Sequence, residues 1–232
     1  MTDQMLLDGV DSGYYEWEIV LRDTPLVRKE CASPYEMHRT LERLFAEAEH
    51  PYRWSRKNLT LYLRSREFPA WWDLPTGYAE QITIRPWRLN NTGVLEKVLE
   101  VRDDVETKVD ALSIGTRKGF SLTANAVKTI TTPTGRVSKT RKGKSKRVAL
   151  RDPVDLLEWL HRQSAKSGFR VLGADVVNRK RNHLGENPKN ITIESVEFQG
   201  VLEVRDPERL LTTLFEGLGK GKGFGLGYIH LE

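Results

Sequence analysis

The chain has 232 residues, 38% of them hydrophobic and 30% charged, which is enough apolar content to bury a core at this length and too much for wholesale disorder. Its single cysteine, Cys31, excludes an intrachain disulfide framework and a multi-cysteine zinc site, and no apolar run reaches the ~18 residues of a transmembrane helix. The net charge is +5. Seven of the 37 Lys and Arg residues (Arg136, Lys139, Arg141, Lys142, Lys144, Lys146, Arg147) fall between Thr134 and Arg147 with no acidic residue among them, leaving 30 basic against 32 acidic residues elsewhere. A near-neutral body with one cationic segment points to a polyanionic partner.

Residues 1–13 read as a tail without the charged and apolar regions of a signal peptide, so a cytoplasmic location is expected. Tyr14–Leu21, rich in aromatic and branched residues, predicts a strand. Ser33-Pro34 opens a helix: serine suits the N-cap, proline the first helical position, and Glu36 completes a capping box. Met37, Leu41, Leu44, Phe45 and Ala48 then form an apolar stripe at helical spacing. Asn58–Arg66 alternates as a strand, with Leu59, Leu61 and Leu63 against Thr60, Tyr62 and Arg64. A further strand is predicted over Glu80–Trp87 and a short helix around Val94–Val101. Phe120–Ile130 reads as one strand, followed by the basic segment as a long hairpin or loop. Asp152-Pro153 opens a second helix with Leu156, Leu157, Leu160 and Trp159 inward. Phe169–Val177 and Ile191–Val204 are strands. Asp206-Pro207 opens a third helix over Leu210, Leu211 and Leu214, and Leu226–Leu231 closes as a strand. The order β-α-β-β-α-β is that of a ferredoxin-like unit. The first half begins β-α-β-β, so the expected fold is α+β, two tandem ferredoxin-like domains (14–113 and 114–232) with a glycine-rich loop before the last strand.

That loop, Gly217–Gly227, holds six of the 18 glycines, every one at an odd position. The dinucleotide fingerprint and the Walker pattern both fail at every register for this reason. What remains is either a flexible connection or a chain able to approach another backbone closely, with amides and Lys220 and Lys222 available to phosphates around Gly219, Gly221 and Gly223. The segment 134–147 is likewise either a solvated loop or a grip on a nucleic-acid backbone. Arg179, Lys180, Arg181 and His183 form a smaller cluster open to the same two readings. None of the five histidines has zincin spacing, and no Cys/His set suffices for a metal. His38 stands at the edge of the apolar stripe, three residues after Tyr35, where an imidazole is both held by neighbours and open to a substrate, or is simply a surface residue. Cys31 with His38 lacks an orienting third group for thiol catalysis.

Four stretches together resemble the CRISPR-associated endoribonucleases of the CasE (Cse3) type. They are Pro34-Tyr35-Glu36-Met37-His38-Arg39-Thr40-Leu41 with its Tyr-x-x-His spacing, Phe120–Thr129, Trp159-Leu160 with Gly168-Phe169, and Phe198-Gln199-Gly200-Val201-Leu202 leading into the glycine loop. Ala126 stands where that family usually has proline, and residues 68–116 are longer than its pattern. The resemblance implies metal-independent cleavage of CRISPR repeat hairpins in precursor RNA, without a cofactor. The ribose 2′-OH would attack, leaving a 2′,3′-cyclic phosphate and a free 5′-OH. His38 would be the general acid, or the base, and Tyr35 would orient the scissile nucleotide or polarise the 2′-OH. The basic segment, Lys128 and the glycine loop would bind RNA. The mature guide's 3′ hairpin would stay bound, in company with other Cascade subunits and no membrane. A non-catalytic RNA-binding subunit of the same kind of complex is the alternative; the Tyr-x-x-His spacing favours the enzyme.

Overall fold

A computed structural model describes residues 13–45, 52–102, 105–131, 145–184 and 191–232. Two antiparallel sheets and a separate hairpin organise it. The first sheet runs β2 (Tyr52–Lys57), β3 (Thr60–Ser65), β1 (Tyr15–Leu21), β4 (Ala79–Leu89), β5 (Leu95–Arg102), β6 (Val105–Leu112). The second runs β10 (Phe169–Leu184), β11 (Ile191–Val204), β7 (Arg117–Ala124), β12 (Ile229–Leu231). Strands β8 (Val127–Thr131) and β9 (Ser145–Ala149) pair only with each other. The first four strands of sheet one thus repeat the spatial order of sheet two: second, third, first, fourth.

The helices begin where the capping chemistry places them. Ser33 accepts the Glu36 amide at the head of α2 (Pro34–Arg43), Asp152 accepts the Val154 and Asp155 amides at α3 (Pro153–Ser164), and Asp206 accepts the Arg209 amide at α4 (Pro207–Glu216). The helix α1 (Pro25–Ala32) carries the same signal in Thr24-Pro25, and went unread because its inward face is short. The α2 stripe buries Met37, Leu41, Leu44 and Phe45 against Trp17, Ile19 and Leu63, each large side chain contributing roughly 1.5–3 kcal/mol of burial. In the second half α3 and α4 cover Phe120, Leu122, Phe169 and Phe198. A short 3-10 turn at Trp71–Asp73 stands, in the first half, where α4 stands in the second.

Four expectations are corrected. Val94–Val101 is strand, not helix: its apolar spacing arises from the pairing of β5 with β4 and β6 and from register shifts after Val98. Phe120–Ile130 is two strands, because the chain leaves the second sheet at Asn125, which bridges to Lys220, and at Ala126, whose carbonyl accepts the Leu150 amide. Leu226–Leu231 is extended only from Ile229, since Gly225 and Gly227 have positive φ. Arg64, expected on the polar face of its strand, is 2% exposed. That face of β3 meets the second half. Arg64 Nε donates to Glu16 at 2.6 Å, its NH1 donates to the Leu214 and Ile229 carbonyls, and its guanidinium lies 4.1 Å from the Tyr228 ring centroid. This one side chain ties β3 to α4 and β12. Among the described residues no helix is long and apolar enough to cross a membrane.

Candidate active site

His38 lies on α2 one position past the buried Met37, so its ring leaves the core and meets the β2 strand. Its Nδ1 is 3.0 Å from the Tyr52 hydroxyl and its Nε2 is 3.3 Å from Glu42 Oε1, one turn along the helix. The Tyr52 ring is itself fixed by stacking on Phe45, centroids 4.9 Å apart. Burial, reinforced by Glu42, pushes the Tyr52 phenol above its ordinary pKa, so it keeps its proton. A neutral ring with its proton on Nε2 turns that N–H toward the Glu42 oxygen and accepts from Tyr52 at Nδ1. The protonated ring instead donates from Nδ1 to the phenolic oxygen. Both charge states of His38 are therefore satisfied without moving the ring, which suits a group that gives and regains a proton.

The glycine loop closes over this imidazole. Phe224 meets the ring edge-on at 5.6 Å, and a Cβ at Gly223 would stand 3.2 Å from His38 Cε1. The loop is held from both sheets. Trp54 on β2 donates its indole N–H to the Gly223 carbonyl at 2.9 Å. The Gly227 amide donates to the Thr123 carbonyl of β7 at 2.7 Å, and the Leu218 amide donates to the Gly227 carbonyl. At Gly227, with φ +86, a Cβ would fall 2.3 Å from the Leu218 carbonyl oxygen, so only glycine fits. A loop this anchored is more than a flexible connection.

Beside the loop lies a groove of about 440 Å³ lined by Arg147, Lys166, Lys220, Lys222 and the glycine backbone, with Glu216 as its only acid among the described lining residues. Burial lowers the Lys222 pKa and neighbouring Arg53 lowers it further. Burial likewise lowers that of Arg53, whose Nε donates to the Glu216 carbonyl at 2.5 Å. Cations crowded this way lose self-energy when an anion enters.

The structure thus sets Gly223 against His38, and lines the neighbouring groove with Gly219, Lys220, Lys222 and Arg147, with Gly221 between the two lysines of the loop. Tyr35, on the first turn of α2, is 41% exposed. Lys146 is exposed on β9. Lys128 opens onto a different groove, where it pairs with Asp155 at 3.3 Å. Arg136, Lys139, Arg141, Lys142 and Lys144 lie outside the described residues. Cys31 carries no sign of activation: burial raises its thiol pKa. Tyr52, Arg53, Trp54 and Lys166 escaped the sequence reading. The alternation in Tyr52-Arg53-Trp54-Ser55 was the available signal for the first three. Among the described residues no group of three or more His, Cys, Asp or Glu stands close enough to hold a metal ion.

A family described as "CRISPR associated protein" matches residues 15–232. The CRISPR-associated endoribonuclease Cse3 of Thermus thermophilus is 33% identical over 230 residues, covering 88% of this chain and 92% of that protein. The Cascade subunit CasE of Escherichia coli is 28% identical over 120 residues, 52% of this chain and 60% of the relative. A solved structure of Thermus thermophilus Cse3 bound to an RNA representing a pre-cleavage complex superposes with a TM-score of 0.68 at 29% identity, covering 94% of this chain and 98% of that one. With its whole fold and nearly all its sequence matched, the chain belongs to the CRISPR-associated endoribonuclease family of the Cse3/CasE type.

Proposed function

We propose that this protein is a metal-independent endoribonuclease that cuts the repeat hairpins of precursor CRISPR RNA, keeps the product's 3′ hairpin, and acts in the cytoplasm alongside other Cascade subunits. In this reading the two halves, 14–113 and 114–232, are ferredoxin-like domains, and the site lies where the glycine loop of the second reaches the His38 helix of the first. The observation that carries it is the His38 ring, held in both charge states by Tyr52 and Glu42 beneath a cationic loop. One relative is named as an endoribonuclease, another as a Cascade subunit, and Thermus thermophilus Cse3 is solved with an RNA representing a pre-cleavage complex.

The chemistry needs two proton movements. The ribose 2′-oxygen gives up its proton to solvent water and bonds to phosphorus; the P–O5′ bond breaks and O5′ takes up a proton. His38 supplies that proton to O5′, worth about 10²–10⁴-fold in rate. Tyr35, exposed on the first turn of the same helix, orients the scissile nucleotide. Lys220, Lys222 and Arg147 face the charge that builds on the phosphorane oxygens. Lys128, Lys146 and the basic residues of 134–144 hold the stem. Incubating a repeat hairpin with the protein in EDTA and analysing the ends tests the reading: a 2′,3′-cyclic phosphate and a 5′-OH are expected, and binding without cutting would leave only the RNA-holding role.

A further inference from the structure

The β8–β9 hairpin divides two grooves. Its pair Thr129 and Arg147 opens onto the glycine-loop groove. The next pair, Lys128 and Val148, opens onto a second groove of about 410 Å³ in which Asp152, Asp155 and Glu194 balance Lys128 and Arg151. Through Leu150, Arg151 and Glu194 this second groove runs on into a recess of about 270 Å³ lined by Arg179, Lys180 and Arg181. Its far wall is a two-stranded ribbon, the part of β10 and β11 that continues past Val196, the last residue of β11 paired with β7.

The charges along this wall are built in. Arg151 donates to Glu194 at 2.6 Å, and Arg179 donates to the Arg151 carbonyl. Glu194 is held below the usual carboxylate range by its hydrogen bond to Arg151, with Arg181 and Arg179 adding to the effect. Three guanidinium groups therefore stand near one carboxylate, a surplus of positive charge on the wall of the recess. Arg179, Lys180 and Arg181 are exposed. A solvated ribbon edge would not need its arginines turned toward a groove shared with another hairpin.

A duplex presents two phosphate backbones, and here cations stand on both sides of the β8–β9 pair: the glycine-loop groove on one, and on the other the recess where Arg151, Arg179, Lys180 and Arg181 outnumber Glu194. We infer that the recess at the end of the second groove, through Arg151, Arg179 and Arg181, binds the phosphates of the stem strand complementary to the one that is cut. The inference rests on the hairpin-cleaving reading above. It adds a binding surface on the side of the β8–β9 pair turned away from the glycine-loop groove.

The test compares two RNAs by equilibrium binding across a salt series: the repeat hairpin, and its cleaved strand alone without the complementary strand. The Arg179→Ala/Arg181→Ala double variant should weaken hairpin binding about ten-fold and flatten the log–log salt slope by about two, while the ratio of hairpin to single-strand affinity falls by a similar factor. Glu194→Gln, which removes the local negative charge, should tighten hairpin binding several-fold. Equal losses on both RNAs, or unchanged hairpin affinity, would overturn the inference. Unchanged hairpin affinity with loss of association to partner subunits would reassign the surface to protein docking. Failure of the unaltered protein to hold the hairpin would instead count against the cleavage reading itself and carry this one with it.

Discussion

The Nδ1 atom of His38 and the hydroxyl of Tyr52 face each other at 3.0 Å across the joint between α2 and β2. The phenol cannot serve as a base, because burial keeps it protonated. Its role is to hold the imidazole at one angle through a cycle of protonation. Tyr52→Phe keeps the stacking on Phe45 and removes only the hydroxyl. The single-turnover cutting rate at saturating RNA should fall about ten-fold, the equivalent of one net hydrogen bond. The dissociation constant should move far less than the rate; a matched change in both would make Tyr52 a binding residue.

The loop imposes a second constraint on the same ring. Gly223→Ala places a methyl 3.2 Å from His38 Cε1. The ring must yield by a few tenths of an ångström; since a full ~1 Å misplacement costs about 10²-fold, a loss of up to about ten-fold in rate is expected. The denaturant midpoint should barely change. Gly227→Ala should do the opposite, since its methyl would meet a carbonyl oxygen at 2.3 Å and φ is +86. A loss of about 2 kcal/mol or more is expected in chemical denaturation. Equal stabilities for the two variants would contradict the packing described.

How far these relationships could be read in advance depends on range. Ser33-Pro34, Asp152-Pro153 and Asp206-Pro207 announced their helices because capping is settled within four residues. Arg64 looked solvent-facing because alternation reports only which side of a strand a residue takes, not what covers that side. The β2 strand hid behind Arg53, Arg56 and Lys57, cations that made it resemble a loop. The glycine run was legible as a chain built for close approach. That it approaches His38, Trp54 and Thr123 is a tertiary fact with no local signature.

Acid stability offers a check on the joint between the halves. Burial alone would raise the Glu16 pKa, but Arg64 and Lys97 overcome this and hold it at about 2, down from 4.5. A depressed carboxylate stabilises the fold above its unfolded pKa and loses that contribution as pH falls toward 2. His230 is lowered from 6.5 to about 4 by burial, with Arg64 adding to it. The unfolded chain takes up that proton first, so this histidine erodes stability as pH falls from 6.5 to 4. His230→Gln should flatten the stability–pH curve between 6.5 and 4, and Glu16→Gln should flatten it between 4.5 and 2. Urea midpoints across pH measure both; slopes unaltered in those windows would refute the assignment.

Removing Arg64 should be costly. Arg64→Ala leaves Glu16 buried with Lys97 as its remaining cation in this network and frees two carbonyls that Arg64 now satisfies. Breaking such a buried pair costs about 3–5 kcal/mol. Thermal melting should show it, and a loss below about 1 kcal/mol would mean the two halves are joined elsewhere.

Binding through the basic segment is separable from cutting. Neutralising Lys142, Lys144 and Lys146 together should weaken hairpin affinity and flatten its salt dependence, by about one unit of slope for each phosphate that is no longer neutralised. An unchanged slope in a filter-binding salt series would show that the segment does not touch phosphate.

The central claim is that the His38 imidazole delivers the proton that releases O5′. Single-turnover cleavage of a repeat hairpin by His38→Ala, in EDTA and with RNA fully bound, tests it directly. The account predicts a rate at least about 10²-fold below the unaltered protein. Near-normal cutting with the same cyclic-phosphate ends would contradict it.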